Sequence, residues 1–179
     1  MVASDESLAA AAARGDRAAF ASLVERHYDR IFRLGFRILG SRADAEDLAQ
    51  DICVALPGKL ARFDGRSRFA TWLHRVVINA ARDVLRRRAS RARAGDGWGD
   101  IERMRRAEAA ERRDSLDWLA AAMTALKPDL RETVALVLGE EMSHAEAAAV
   151  LGLSEGSVSW RMSEVRKTLR ALAAQEERI

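Results

Sequence analysis

Apolar residues in this sequence return at steps of three and four almost without interruption, and that period fits one regular structure. Phe20, Leu23, Val24, His27, Tyr28, Ile31 and Phe32 mark the first long stripe, which continues through Leu34, Ile38 and Leu39 and stops at Gly40. One face of an α-helix repeats every ~3.6 residues, whereas a strand face repeats every two. Prolines, which would cut such stripes, number only two in 179 residues (Pro57 and Pro128). Ala, Leu, Arg and Glu dominate, and their side chains lose little freedom in a helical turn. The chain is expected to be all-α.

Punctuation along the chain divides it further. A short helix is expected near residues 7–14, ending at Gly15-Asp16, where Asp16 caps the next helix. Ser41 and Asp44 offer cap oxygens for a third helix over 45–56, and Pro57-Gly58 is expected to break it. Residues 63–68 (FDGRSR) read as an exposed loop, and 69–88 as one long helix. From 89 to 113 the apolar stripe weakens and Gly95, Gly97 and Gly99 crowd together, which reads as a flexible linker with a helical piece over 100–113. A second apolar pattern starts at Leu116, Trp118, Leu119 and Met123, pauses at Lys127-Pro128 and resumes through Val134, Leu136, Val137 and Leu138. Helices over 143–151 and 154–173 close the chain. Two small helical domains, 1–88 and 114–179, joined by the flexible 89–113 segment, are the expected organisation.

Hydrophobic residues make up 49% of the chain, enough for packed cores, but each small domain buries little alone. Cys53 is the only cysteine, so no disulfide framework or thiolate metal cluster is expected. No apolar stretch approaches the ~20 residues that span a bilayer, and no secretory leader is evident, so a cytoplasmic protein without membrane insertion is expected. His27, His74 and His144 are scattered, with no metalloprotease, phosphate-loop or nucleophile motif, so neither enzyme activity nor a cofactor or metal is expected.

The sharpest local signal lies near the C-terminus, in SHAEAAAVLGLSEGSVSWRMSEVRKTL, residues 143–169. Ser143 with Glu146 three residues on forms a capping box. Ala148, Gly152 and Val158 then have the spacing of a helix-turn-helix. The small residue lets two helices cross closely, glycine takes the turn, and valine fills the space between the helices. Val158, Met162, Val165 and Leu169 form the buried stripe of the second helix. Ser157, Ser159, Trp160, Arg161, Glu164, Arg166 and Lys167 fall on its other side, where a major groove would meet them.

Charge is just as uneven. Between Arg75 and Arg93 seven arginines face one acid, Asp83, a local excess of six against a formal +3 for the whole chain. Arg75, Asn79, Arg82, Arg86 and Arg87 share a side of the helix opposite Phe69, Trp72, Leu73, Val76 and Val77. Such a helix suits nucleic-acid phosphates.

At this point the sequence resembles the extracytoplasmic-function class of sigma factors along nearly its whole length. GDRAAF at 15–20, DAEDLAQD at 44–51, FATWL at 69–73 with Asn79 and Arg86, and Leu126, Pro128, Arg131 and Glu132 before the helix-turn-helix all resemble that family's motifs in order. The resemblance implies that Asp44, Glu46, Asp47, Gln50 and Asp51 grip core RNA polymerase (its β′ and β subunits). It implies that Asp64, Arg66, Ser67, Arg68 and Phe69, with Arg75, Asn79, Arg82, Arg86 and Arg87, read and open the promoter minus-ten element. The helix-turn-helix would read the minus-thirty-five element, and an anti-sigma factor would be a further partner. The alternative is a two-domain helix-turn-helix regulator that never joins polymerase, which leaves the 44–51 patch idle.

Overall fold

A computed structural model of the chain describes residues 3–93 and 121–176, and every regular element among them is helical. The expected 89–113 linker, its helical piece and the Leu116, Trp118 and Leu119 positions lie largely or wholly outside the described residues. In chain order the helices are α1 (Asp5–Ala13), α2 (Arg17–Leu39), α3 (Arg42–Leu60), α4 (Phe69–Arg93), α5 (Pro128–Val134), α6 (His144–Leu151) and α7 (Glu155–Glu176). Residues 121–125 are also helical, and a π-helical turn, Ala135–Gly139, follows α5 directly.

Local chemistry sets most boundaries. Asp16 accepts from the N–H groups of Ala18 (2.9 Å) and Ala19 (3.0 Å), meeting donors that a helix start leaves unpaired. Ser41 accepts from Asp44 N–H in the same way. Gly40 ends α2 in the left-handed region (φ 68°), with its N–H on the Phe36 carbonyl. The expected break at Pro57-Gly58 does not occur, because α3 runs on to Leu60. Leu56 and Leu60 are both 1% exposed, while Pro57 and Gly58 face outward. Burying a leucine is worth roughly 1.5–3 kcal/mol, comparable with the ~3 kcal/mol cost of an interior proline, so packing carries the helix across. α4 also runs five residues beyond its expected end.

The N-terminal unit is a bundle of α1–α4 around Leu23, Ile31, Leu34, Ile38, Leu56, Phe69, Leu73 and Val77. α2 and α3 approach closely at Gly35, where a side chain would put its Cβ 2.8 Å from Leu48 Cδ2. The C-terminal unit has its own core of Leu126, Leu130, Val134, Met162 and Val165. Its remaining apolar residues, among them Leu136, Ala148, Leu151 and Val158, join the larger N-terminal cluster. The π-turn lies against α2, and α6 lies against α4. The two units therefore share one continuous apolar interior.

Gly35→Val is expected to cost about 1–3 kcal/mol of unfolding free energy, because Leu48 is 3% exposed and has little room to yield. An unchanged denaturant midpoint would contradict the close α2–α3 approach.

Candidate nucleic-acid interface

The acidic motif lies on α3 and divides into two groups. Asp47, Gln50 and Asp51 are exposed along one outward face, and Val54, a turn later, is 84% exposed. Among the described residues Val54 is the most open of the exposed large hydrophobic side chains, and no motif in the sequence points to it. The other two acids are occupied within the chain. Asp44 receives an ion pair from Arg88 of α4, and Glu46 accepts from Arg42 Nε at 2.8 Å.

The loop before α4 stands away from the bundle. Asp64 Oδ1 accepts from Arg66 N–H (3.1 Å), Gly65 takes φ +70°, and the Arg66 side chain is 89% exposed. Ser67 is half-buried and Arg68 exposed. Phe69, at the far end, is fully buried in an aromatic group. Its ring lies 5.2 Å from His27, 5.8 Å edge-on from Phe63 and 5.7 Å from Trp72. Phe69 therefore anchors the loop rather than offering its own ring to a ligand.

The basic row of α4 is only partly open. Asn79, Arg86 and Arg87 face solvent, with Arg86 paired to Asp83 one turn back. Arg75 donates from Nε (3.1 Å) and Nη2 (2.6 Å) to the Ala149 carbonyl of α6. Arg82 forms a two-pronged pair with Glu132 of α5, at 2.8 and 2.6 Å. Planar guanidinium and carboxylate groups match each other's geometry in this way. Glu132 is 2% exposed, and the hydrogen bonds it accepts from Arg82 raise the Arg82 pKa further.

A second polar seam lies beside the first. Glu140, just past the π-turn, meets Arg37 (2.7 Å) and Arg30 (3.3 Å) of α2 and His74 (3.4 Å) of α4. Gly139 makes this approach possible, since a Cβ there would fall 2.7 Å from the Arg37 guanidinium. Burial would push the Glu140 carboxyl up, but the His74 hydrogen bond and charge, with Arg37 and Arg30, together hold it below its ordinary range. Arg131, 7% exposed, donates to the carbonyls of Ile38, Thr124 and Leu126. Glu132 and Arg131 sit between Leu130 and Val134 in sequence, and a charged pair inside an apolar stripe is the one signal that buried ionic partners exist.

In the helix-turn-helix the expected geometry holds closely. Ser143 and Glu146 form the reciprocal capping box, Gly152 takes φ +69°, and Val158 (fully buried) and Ala148 (5% exposed) belong to one apolar cluster. The polar face of α7 is more selective than its sequence. Ser157 bonds Ser154, and Ser159 bonds His144 at 2.8 Å. Arg161 turns back to the Asp129 carbonyl and carboxylate of α5 and is only 17% exposed. Glu164 is half-buried. Trp160 is 61% exposed, and Arg166 and Lys167 face solvent one to two turns on. No helix among the described residues is long and apolar enough to cross a membrane.

Comparison with known proteins adds the following. The chain matches the family models Sigma-70 region 2 over residues 23–91 and Sigma-70, region 4 over residues 116–169. It is 37% identical over 175 residues to the RNA polymerase sigma factor NccH of Alcaligenes xylosoxydans xylosoxydans, covering 94% of each chain. It is 34% identical to the ECF RNA polymerase sigma factor SigE of Mycolicibacterium smegmatis, covering 91% of this chain and 66% of that one. Among solved structures, that of CnrH in complex with the cytosolic domain of CnrY matches with a TM-score of 0.71 and 33% identity, over 96% of this chain and 97% of that one.

The Glu140 cluster predicts a pH signature. A carboxyl whose folded pKa is depressed contributes stability above its unfolded value, near 4.5, and loses it as pH falls through the lower folded value. Glu140→Gln should therefore be less stable than the parent at neutral pH, and the gap should close as pH drops below 4.5. Urea unfolding at a series of pH values reads this directly; a gap that stays constant with pH would refute the ion cluster.

Proposed function

The chain belongs to the extracytoplasmic-function sigma factors of the sigma-70 family, and from that premise we propose how its surfaces divide the work of starting transcription. The N-terminal unit, residues 1–88, docks on core RNA polymerase through Asp47, Gln50 and Asp51 of α3, with Val54 giving the contact an apolar centre. Asp44 and Glu46 support that face through their pairs with Arg88 and Arg42. Arg75, Asn79, Arg82, Arg86 and Arg87 of α4 hold promoter phosphates near the minus-ten element, and the 64–68 loop ahead of Phe69 receives an extruded base. The C-terminal unit, residues 114–179, presents α7 to the minus-thirty-five element, and residues 89–113 join the two.

The observation that carries this reading is the separation of charge by helix. An outward acidic face on α3 stands apart from outward cations on α4 and α7. A plain DNA-binding regulator has use for the second feature only. Arg82 and Arg75 are both engaged with the C-terminal unit here, so promoter binding through them requires that unit to move off α4. A regulatory partner can act on that step. CnrH is known in complex with the cytosolic domain of CnrY, and an anti-sigma factor holding the closed arrangement is the equivalent partner proposed for this chain. The work is placed in the cytoplasm, with polymerase, and no chemical reaction is assigned to the chain itself.

Run-off transcription with purified core enzyme tests the assignment. Asp47→Lys with Asp51→Lys should lower core affinity at least tenfold, whereas Arg86→Glu with Arg87→Glu should leave core affinity intact and abolish permanganate reactivity around the start site. If DNA binding uses six to ten phosphate contacts, affinity should fall roughly 10³- to 10⁵-fold between about 50 and 200 mM salt. Wild-type transcription from both double variants would overturn the division of surfaces.

A further inference from the structure

The N-terminus of α4 cannot be capped by the residue that stands there. Arg68 occupies the cap position, and its guanidinium has donors but no acceptor for the unpaired N–H groups of the first turn. The acceptor comes instead from α1, sixty-three residues earlier, where Glu6 Oε1 takes the Phe69 N–H at 3.0 Å. That bond holds the Glu6 carboxyl below its ordinary range even though the group is open to water. Glu6 is itself held in place by its neighbour. Asp5 binds Arg26 (2.9 Å) and His27 (2.8 Å) of α2, and Arg26 also donates to the Ala3 carbonyl (2.8 Å).

Phe69 is thus gripped twice, by Glu6 at its backbone and by the Phe63 edge at its ring. The five residues between Phe63 and Phe69 are closed into a loop by those two contacts. General attraction of DNA does not account for Glu6, since a carboxylate close to Arg68 repels phosphate. Its benefit is geometric.

We propose that Glu6 is a positioning residue for promoter opening, its carboxylate capping α4 at Phe69 and fixing the 64–68 loop in the shape that receives an extruded base. This rests on the assignment of that loop to strand opening. A cap removed from a helix start shifts an equilibrium roughly 2- to 30-fold, and here the shift falls on the loop's competent conformation.

The experiment uses full-length protein with core polymerase. Abortive initiation on a duplex promoter separates the closed-complex constant from the isomerisation rate. Glu6→Ala should slow isomerisation roughly 3- to 30-fold while closed-complex and core affinities stay within about twofold. Glu6→Gln, which keeps an acceptor oxygen, should recover most of the rate. Equal defects in Gln and Ala would mean that the charge matters and not the cap, and would overturn the proposal. So would an unchanged rate, or a rate loss matched by lost core affinity. Arg66→Ala with Arg68→Ala is the control for the underlying assignment. If that pair isomerises normally, the loop is not the opening element, a failure distinct from any behaviour of Glu6.

Discussion

Two buried carboxylates govern how the halves of this molecule meet. Glu132 and Glu140 belong to the C-terminal unit, and the Glu132 residue and the Glu140 side chain are 2% and 8% exposed. A carboxylate out of water needs a cation and hydrogen bonds, and here both come from the N-terminal unit. Arg82 serves the first, while Arg30, Arg37 and His74 serve the second. The seam is therefore exact in direction, since a rotation of one unit would strand both acids. It is not therefore strong. The attraction within a buried pair is largely offset by the cost of drying its members, so its net contribution is small although breaking one partner is expensive. Separation of the units rehydrates all the charges together and strands none. Such a contact selects one closed geometry and still permits release.

The same cations carry the electrostatic case for nucleic acid. Of the arginine row on α4, Arg75 and Arg82 are committed to the Ala149 carbonyl and to Glu132, while Arg86 and Arg87 stay outside. A phosphate arriving at Arg82 exchanges one anion for another of similar geometry, so the step costs little in direct bonding. What it does require is loss of the apolar contact that Leu136, Leu151 and Val158 share with the N-terminal cluster. The apolar term sets the depth of closure and the ionic term its register.

Much of this was legible in the sequence, for a local reason. Caps at Asp16, Ser41 and Ser143, the end of α2 at Gly40 and the Ala148–Gly152–Val158 spacing depend on residues within one or two turns, and each has the structure its chemistry implies. Periodicity is equally local, so the sides of the helices were readable too. The misreadings share a cause. The ring of Pro57 alone argues for a break, and the burial of Leu60 decides otherwise. Helical period puts Arg161 on the groove side, yet Asp129 and the Thr133 hydroxyl draw it back. Glu132 and Arg82 stand fifty positions apart, and Glu6 and Phe69 sixty-three. Spacing along a chain carries no information about a partner that only the tertiary fold supplies.

That distinction bears on α7, the helix proposed to read DNA in the C-terminal unit. Its sequence offers a run of hydroxyls and charges, but Ser157, Ser159 and Arg161 already have partners within the unit. The Ser154 bond caps the start of α7, while the His144 and Asp129 contacts brace it against α6 and α5 and so fix its angle to whatever it meets. Among the groups facing outward are the Trp160 ring, Ser159 with its bond to His144, Ser163 and, further along, Arg166 and Lys167. The ring is an apolar surface of fixed shape, and the two cations are suited to phosphates, which position a helix without reading bases. In the proposed role at the minus-thirty-five element, sequence discrimination by this helix would then depend less on its count of polar side chains than on the orientation its internal hydrogen bonds impose.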